Sequence, residues 1–141
     1  MKKHIETSII IKAAPTQVWK VFTDFESYPE WNPFIHKLEG TPKVDSSIKI
    51  YLPGMTFKPK VLAFATAKEL RWLGKLLFKG LFDGEHYFKL EENADGSTTF
   101  IHGEQFSGML VGMFAKKLDS ETKPGFEAMN LALKQKVEAL A

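Results

Sequence analysis

The sequence predicts an α+β fold, a curved antiparallel sheet of about seven strands wrapped around one long C-terminal helix, with two short helices after the first strand. Three observations carry this. Phe126, Met129, Leu133, Val137 and Leu140 recur every three or four residues, the helical period. Most of the chain before them alternates apolar and polar residues, the period of a half-buried strand. Two such runs, 84–92 and 97–107, flank Asn93-Ala94-Asp95-Gly96, a hairpin signal.

In chain order, residues 4–12 set Ile5, Thr7, Ile9 and Ile11 on one side and His4, Glu6, Ser8 and Lys12 on the other, a first strand. Pro15 suits a first helical position, where its missing N–H costs nothing, and Val18, Trp19, Phe22 and Phe25 give that helix an apolar face. Pro29 and Pro33 leave room for one helical turn near 26–28. Short strands are expected at 35–38 and 47–52, the latter with Ile48, Ile50 and Leu52 on one face and Tyr51 on the other. A strand at 56–65 carries Pro59, which marks a sheet edge or a bulge. Residues 69–73 form another, with Leu70 and Trp72 inward and Arg71 outward. The run 76–82 is apolar but broken by Gly80, and reads as a partly exposed lid of Leu76, Leu77, Phe78, Leu81 and Phe82.

The hairpin has a testable register. A type I turn closed by Gly96 in the left-handed conformation pairs Asn93 with Ser97, Leu90 with Phe100, Phe88 with His102 and His86 with Glu104. Phe88, Leu90, Phe100 and Phe106 then share a face, and a slip of one residue would destroy that agreement. Residues 108–118 bridge to the terminal helix as a short helix. That terminal helix, at 119–140, would span about 33 Å. Asp119 or Ser120 is its expected N-cap, while Pro124 requires a kink or a start near Thr122.

Composition bounds the function. At 141 residues the chain is most simply one domain with a core that needs no staples. It has no cysteine, which excludes disulfides and thiolate metal sites and suits a reducing, cytoplasmic setting. Nineteen basic and seventeen acidic residues show no block of one sign, so nucleic acid is not an expected partner. No apolar run is long enough for stable membrane insertion. There is no dinucleotide, phosphate-loop or nucleophile motif, and no metal-ligand spacing, so neither a cofactor nor a metal is expected. Twelve Phe and three Trp either fill the core or line a hollow. Oligomeric state is not legible.

The wording of the chain adds a resemblance. Ala14-Pro15-Thr16-Gln17-Val18-Trp19, then Asp24, Tyr28-Pro29 and Trp31-Asn32-Pro33-Phe34, resemble the signature of START-like (SRPBCC) proteins, closest to their polyketide cyclase/dehydrase and lipid-transport branch. Leu70-Arg71-Trp72, Phe82-Asp83-Gly84-Glu85-His86, Phe106-Ser107-Gly108 and residues 125–130 are similar to that branch as well. The resemblance implies a helix-grip fold with a cavity for a hydrophobic ligand between sheet and helix. It is specific for fold and poorly specific for function.

The candidate site follows from the hairpin. His86, His102 and Glu104 would face the hollow among Phe88, Phe100 and Phe106, where a carboxylate between two imidazoles is a candidate general acid/base set. The alternative is that the three satisfy one another, rigidify the sheet or hold a ligand's polar end. Trp31, His36, Trp72, Phe82, Phe126, Met129 and Leu133 complete the expected lining, with Met109 and Met113 as adaptable wall. Trp31 also reads as plain packing, Asn32 as a backbone cap, and His36 as facing either cavity or water. The leading expectation is a binder of a lipid, isoprenoid or polyketide-like aromatic. Its rivals are a cyclase/dehydrase-type enzyme using the same trio, and an interaction module docking through the aromatic loop.

Overall fold

The computed structural model describes residues 1–75 and 79–140. The chain runs β1 (Lys2–Ile11), α1 (Pro15–Phe22), a 3₁₀ turn (Phe25–Ser27), α2 (Tyr28–Trp31), β2 (Lys37–Glu39), β3 (Lys49–Leu52), β4 (Met55–Phe57), β5 (Lys60–Ala65), β6 (Glu69–Lys75), β7 (Asp83–Glu92), β8 (Thr98–Ser107), α3 (Val111–Lys117) and α4 (Lys123–Ala139). One antiparallel sheet has the order β1-β8-β7-β6-β5 and a smaller one the order β2-β3-β4. Pro59 divides the expected 56–65 strand into β4 and β5, and β5 is a sheet edge with a register shift between Val61 and Ala63. Backbone bonds from Val61 to Ser46 and from Ile48 to Pro59 join the two sheets there. The result is the helix-grip arrangement.

The hairpin register is as expected. Leu90 pairs with Phe100, Phe88 with His102 and His86 with Glu104, and Gly96 takes φ 86°. Opposite residues on neighbouring antiparallel strands share a face, so the register writes a grid on the concave side. One row reads Trp72, His86, Glu104, Ile5; the next reads Leu70, Phe88, His102, Thr7.

Helix α4 lies across this face against β1, β8 and α1, burying Phe126, Met129, Asn130, Leu133 and Val137. Pro124 falls in its first turn, preceded by a π-type turn at Leu118–Thr122 that runs on from α3. The wider turn accommodates a residue that cannot donate to the preceding carbonyls. The helix therefore starts near Thr122, as one of the two expectations had it. Asp119 does not cap it but pairs with Lys3 at 3.0 Å. Helix α1 closes the other end of the hollow, where Phe22 sits 4.8 Å from Phe88 and 5.5 Å from Phe100, ring centre to ring centre. That end is solid.

Candidate functional site

The opposite end of the hollow stays open. There, a cavity of about 590 Å³ lies between the β3–β4 turn, the ends of β6 to β8 and the junction of α3 with α4. Its apolar walls include Phe34, Phe57, Trp72, Phe82 and Phe106, and at its inner end stand His86 and Glu104. Close approach explains two glycines on its wall. A Cβ on Gly84 would lie 2.1 Å from Glu104 Oε2, and one on Gly125 would lie 2.8 Å from the Phe34 ring. Their bareness lets the carboxylate and the ring occupy their places.

The polar groups form a continuous row from the cavity to the terminal helix. Glu104 Oε1 is 3.1 Å from His86 Nδ1, His86 Nε2 is 2.7 Å from His102 Nε2, and His102 Nδ1 is 3.0 Å from Asn130 Oδ1. Asn130 Nδ2 donates to Thr7 Oγ1 at 2.8 Å, and the Thr7 hydroxyl donates to the His102 carbonyl at 2.8 Å. His102 is fully buried, with Phe126 stacked on it at 4.1 Å and 15°. Burial holds its pKa well below the ordinary imidazole value, and the neighbouring His86 pushes the same way, against its bonds to Asn130 and the Phe126 backbone. It is a neutral imidazole at pH 7. His86 is stacked between Trp72, at 4.9 Å and 29°, and Phe34, at 6.3 Å and 30°.

Phe34 gets there through the Trp31-Asn32-Pro33-Phe34 turn. Asn32 Oδ1 accepts from the backbone N–H groups of Phe34, at 2.9 Å, and Ile35, at 2.8 Å, which fixes the turn without a ligand.

The expected lining residues divide in two. Trp72, Phe82, His86, Glu104 and Phe106 line the cavity. Phe88, Phe100, Met129 and Leu133 belong to the packed core at the other end of the hollow, where Phe22 covers Phe88 and Phe100, and are not on this cavity's wall. His102 and Phe126 form the layer beneath His86 rather than the wall. Trp31 packs on Tyr28 at 5.2 Å and donates to Ser27 Oγ at 3.0 Å, so its placement matches the packing alternative. His36 is exposed, its backbone N–H donating to the Tyr51 carbonyl of β3 at 2.8 Å. Met109 and Met113 face solvent at 71% and 74% exposure instead of forming wall. Of the expected lid, Leu76, Leu77 and Phe78 lie outside the described residues, while Leu81 and Phe82 are half-buried, with Phe82 against Phe106 and Phe114.

Three participants were not among the expected site residues: Asn130, Thr7 and Phe34. Asn130 carried a signal, a lone amide four residues from Phe126 and three from Leu133 on an otherwise apolar helix face. Among the described residues no group of three or more His, Asp or Glu side chains is arranged to hold a metal ion.

A sheet gripping a terminal helix, with an open cavity at one end, defines a class of ligand-cavity folds, and sequence comparison gives the family. Residues 2–138 match the family described as polyketide cyclase / dehydrase and lipid transport, and the chain belongs to it. No curated protein sequence matches. Solved structures resemble the fold over nearly the whole chain. A START superfamily protein from Mycobacterium smegmatis is 22% identical, with a TM-score of 0.73 over 98% of this chain and 99% of its own. The Zhui aromatase/cyclase from Streptomyces sp. R1128 is 14% identical, with a TM-score of 0.76 over 98% of this chain and 94% of its own. A hypothetical protein of Helicobacter pylori is 16% identical, with a TM-score of 0.80 over 96% and 88%. Among the described residues no helix is long and apolar enough to cross a membrane.

Proposed function

We propose that the protein binds a small hydrophobic molecule in the open cavity and orients its polar end on the His86–Glu104 pair. The observation that carries this is the juxtaposition of that pair with an aromatic-walled cavity of about 590 Å³, a size typical of small-molecule sites. Affinity comes mainly from apolar area removed from water, at about 25 cal/mol per Å². The buried row behind the pair holds His86 in one orientation, so the polar contact is made without reorganisation. A lipid, an isoprenoid or a polyketide-like aromatic fits these walls, and family membership supports the same range.

One observation favours a second reading, an enzyme of cyclase/dehydrase type. An imidazole and a carboxylate meet beside the cavity, 3.1 Å apart, and are backed by a buried second imidazole, an arrangement that suits a general base. The solved aromatase/cyclase is similar in fold.

Native mass spectrometry of the purified protein is expected to reveal a co-purifying hydrophobic molecule. Glu104→Gln is expected to weaken its binding severalfold while the melting temperature moves by only a few degrees, since Glu104 keeps some solvent contact. Loss of turnover with ligand affinity intact in that variant would favour the enzyme. A molecule whose retention is indifferent to Glu104 would defeat the proposed orientation.

A further inference from the structure

We propose that the polar end of the bound molecule is a hydroxyl, of an alcohol or a phenol, and that it donates its hydrogen to Glu104 Oε2. This rests on the ligand-binding reading above and deepens it to a chemical class. Proton positions along the buried row follow from its fixed end, with hydrogens assigned from the bonding pattern. The single hydroxyl hydrogen of Thr7 goes to the His102 carbonyl, so Thr7 Oγ1 can only accept from Asn130 Nδ2. Asn130 Oδ1 therefore faces His102, and His102 Nδ1 carries the hydrogen. His102 being neutral, its Nε2 is a bare acceptor, and the hydrogen in the 2.7 Å contact belongs to His86 Nε2.

A hydrogen bond across the 3.1 Å between His86 Nδ1 and Glu104 Oε1 then requires one proton there. On nitrogen it makes an imidazolium–carboxylate pair; on oxygen it makes a neutral pair. In both, Glu104 Oε2 carries no hydrogen and is an acceptor. Neither ring nitrogen of His86 has a hydrogen to spare. The pair thus offers the cavity an acceptor and no donor.

A carbonyl, ether or ester oxygen placed there would set lone pair against lone pair, and a carboxylate would add like charge. A hydroxyl fits. Unlike an ammonium it also brings no charge in among the aromatic walls.

The test is a chemical-shift titration of the ¹⁵N-labelled protein at neutral pH with 2-naphthol, 2-methoxynaphthalene and 2-naphthoate, read at the Trp72 indole N–H. The expected result is 2-naphthol binding at least about tenfold more tightly than its methyl ether or the carboxylate. In Glu104→Leu that preference is expected to shrink to about twofold or less. Should the leucine variant not fold, the wild-type ratio alone decides. Methyl ether or naphthoate binding as tightly as 2-naphthol at Trp72 overturns the hydroxyl assignment and leaves the cavity reading standing. No response at Trp72 to any of the three overturns both.

Discussion

Phe126→Ala is expected to lower the free energy of unfolding by about 3–5 kcal/mol. Phe126 is fully buried where the terminal helix meets the sheet, stacked on His102 at 4.1 Å, 4.9 Å from the His86 ring and edge-on to Phe34 at 5.2 Å. No neighbour can fill the space left: His86 and His102 are tied to their row and Phe34 to its Asn32-capped turn. The unrelaxed void adds to the transfer cost. The melting temperature should fall by about 10–20 °C, and urea titration should show a lower midpoint with an unchanged slope. A loss below about 1 kcal/mol would mean that the aromatic stack beneath the cavity is not packed as described.

Gly103→Ala is expected to cost about 2–3 kcal/mol or more, for the opposite reason. On the convex face the Tyr87 ring lies over Gly103, and an added Cβ would sit 2.4 Å from Tyr87 Oη and 2.8 Å from the Ile5 carbonyl oxygen. Neither can retreat. Ile5 is held by the β1–β8 ladder, and Tyr87 Oη donates to Glu6 and also meets His4, each at 2.5 Å. Burial and the Glu6 carboxylate both push the Tyr87 pKa upward, so the phenol stays protonated and the contact persists at neutral pH. Gly112→Ala supplies the control. A Cβ there meets only the flexible side chain of Met1, so in a helix the change should be neutral or stabilising by about 0.5–1 kcal/mol. Equal melting temperatures for the two alanine variants would contradict the packing of Tyr87 on Gly103.

Much of this was legible in the residues, for identifiable reasons. Strand pairing is local across a tight turn, so Asn93 to Gly96 and the apolar parity were enough to put His86 opposite Glu104. Parity gives the face of a sheet but not the depth of what covers it. Phe88 and Phe106 share the concave face, yet Phe22 of α1 fills the space before one and leaves the other at the opening. The bond between Asn130 and Thr7 spans 123 residues of chain, and no local pattern encodes it. Asn130 could only announce itself as an amide where the stripe called for a hydrocarbon. Phe34 escaped because its position depends on the Asn32 turn and on the missing side chain at Gly125, two features far apart in sequence.

The row behind the cavity depends on His102 staying uncharged. Its folded-state pKa is depressed from the ordinary 6.5, so below that pH the unfolded chain takes up a proton the folded one refuses. Its stabilising contribution is therefore complete above pH 6.5 and is lost as the pH falls through the folded value. Long-range ¹H–¹⁵N correlation of the imidazoles, followed as the solution is acidified, reads both charge and tautomer directly. The expected spectrum has His102 neutral at pH 6.5, with its hydrogen on Nδ1 and a bare Nε2 toward His86. An imidazolium at that position in neutral solution, or a hydrogen on Nε2 instead of Nδ1, would contradict it.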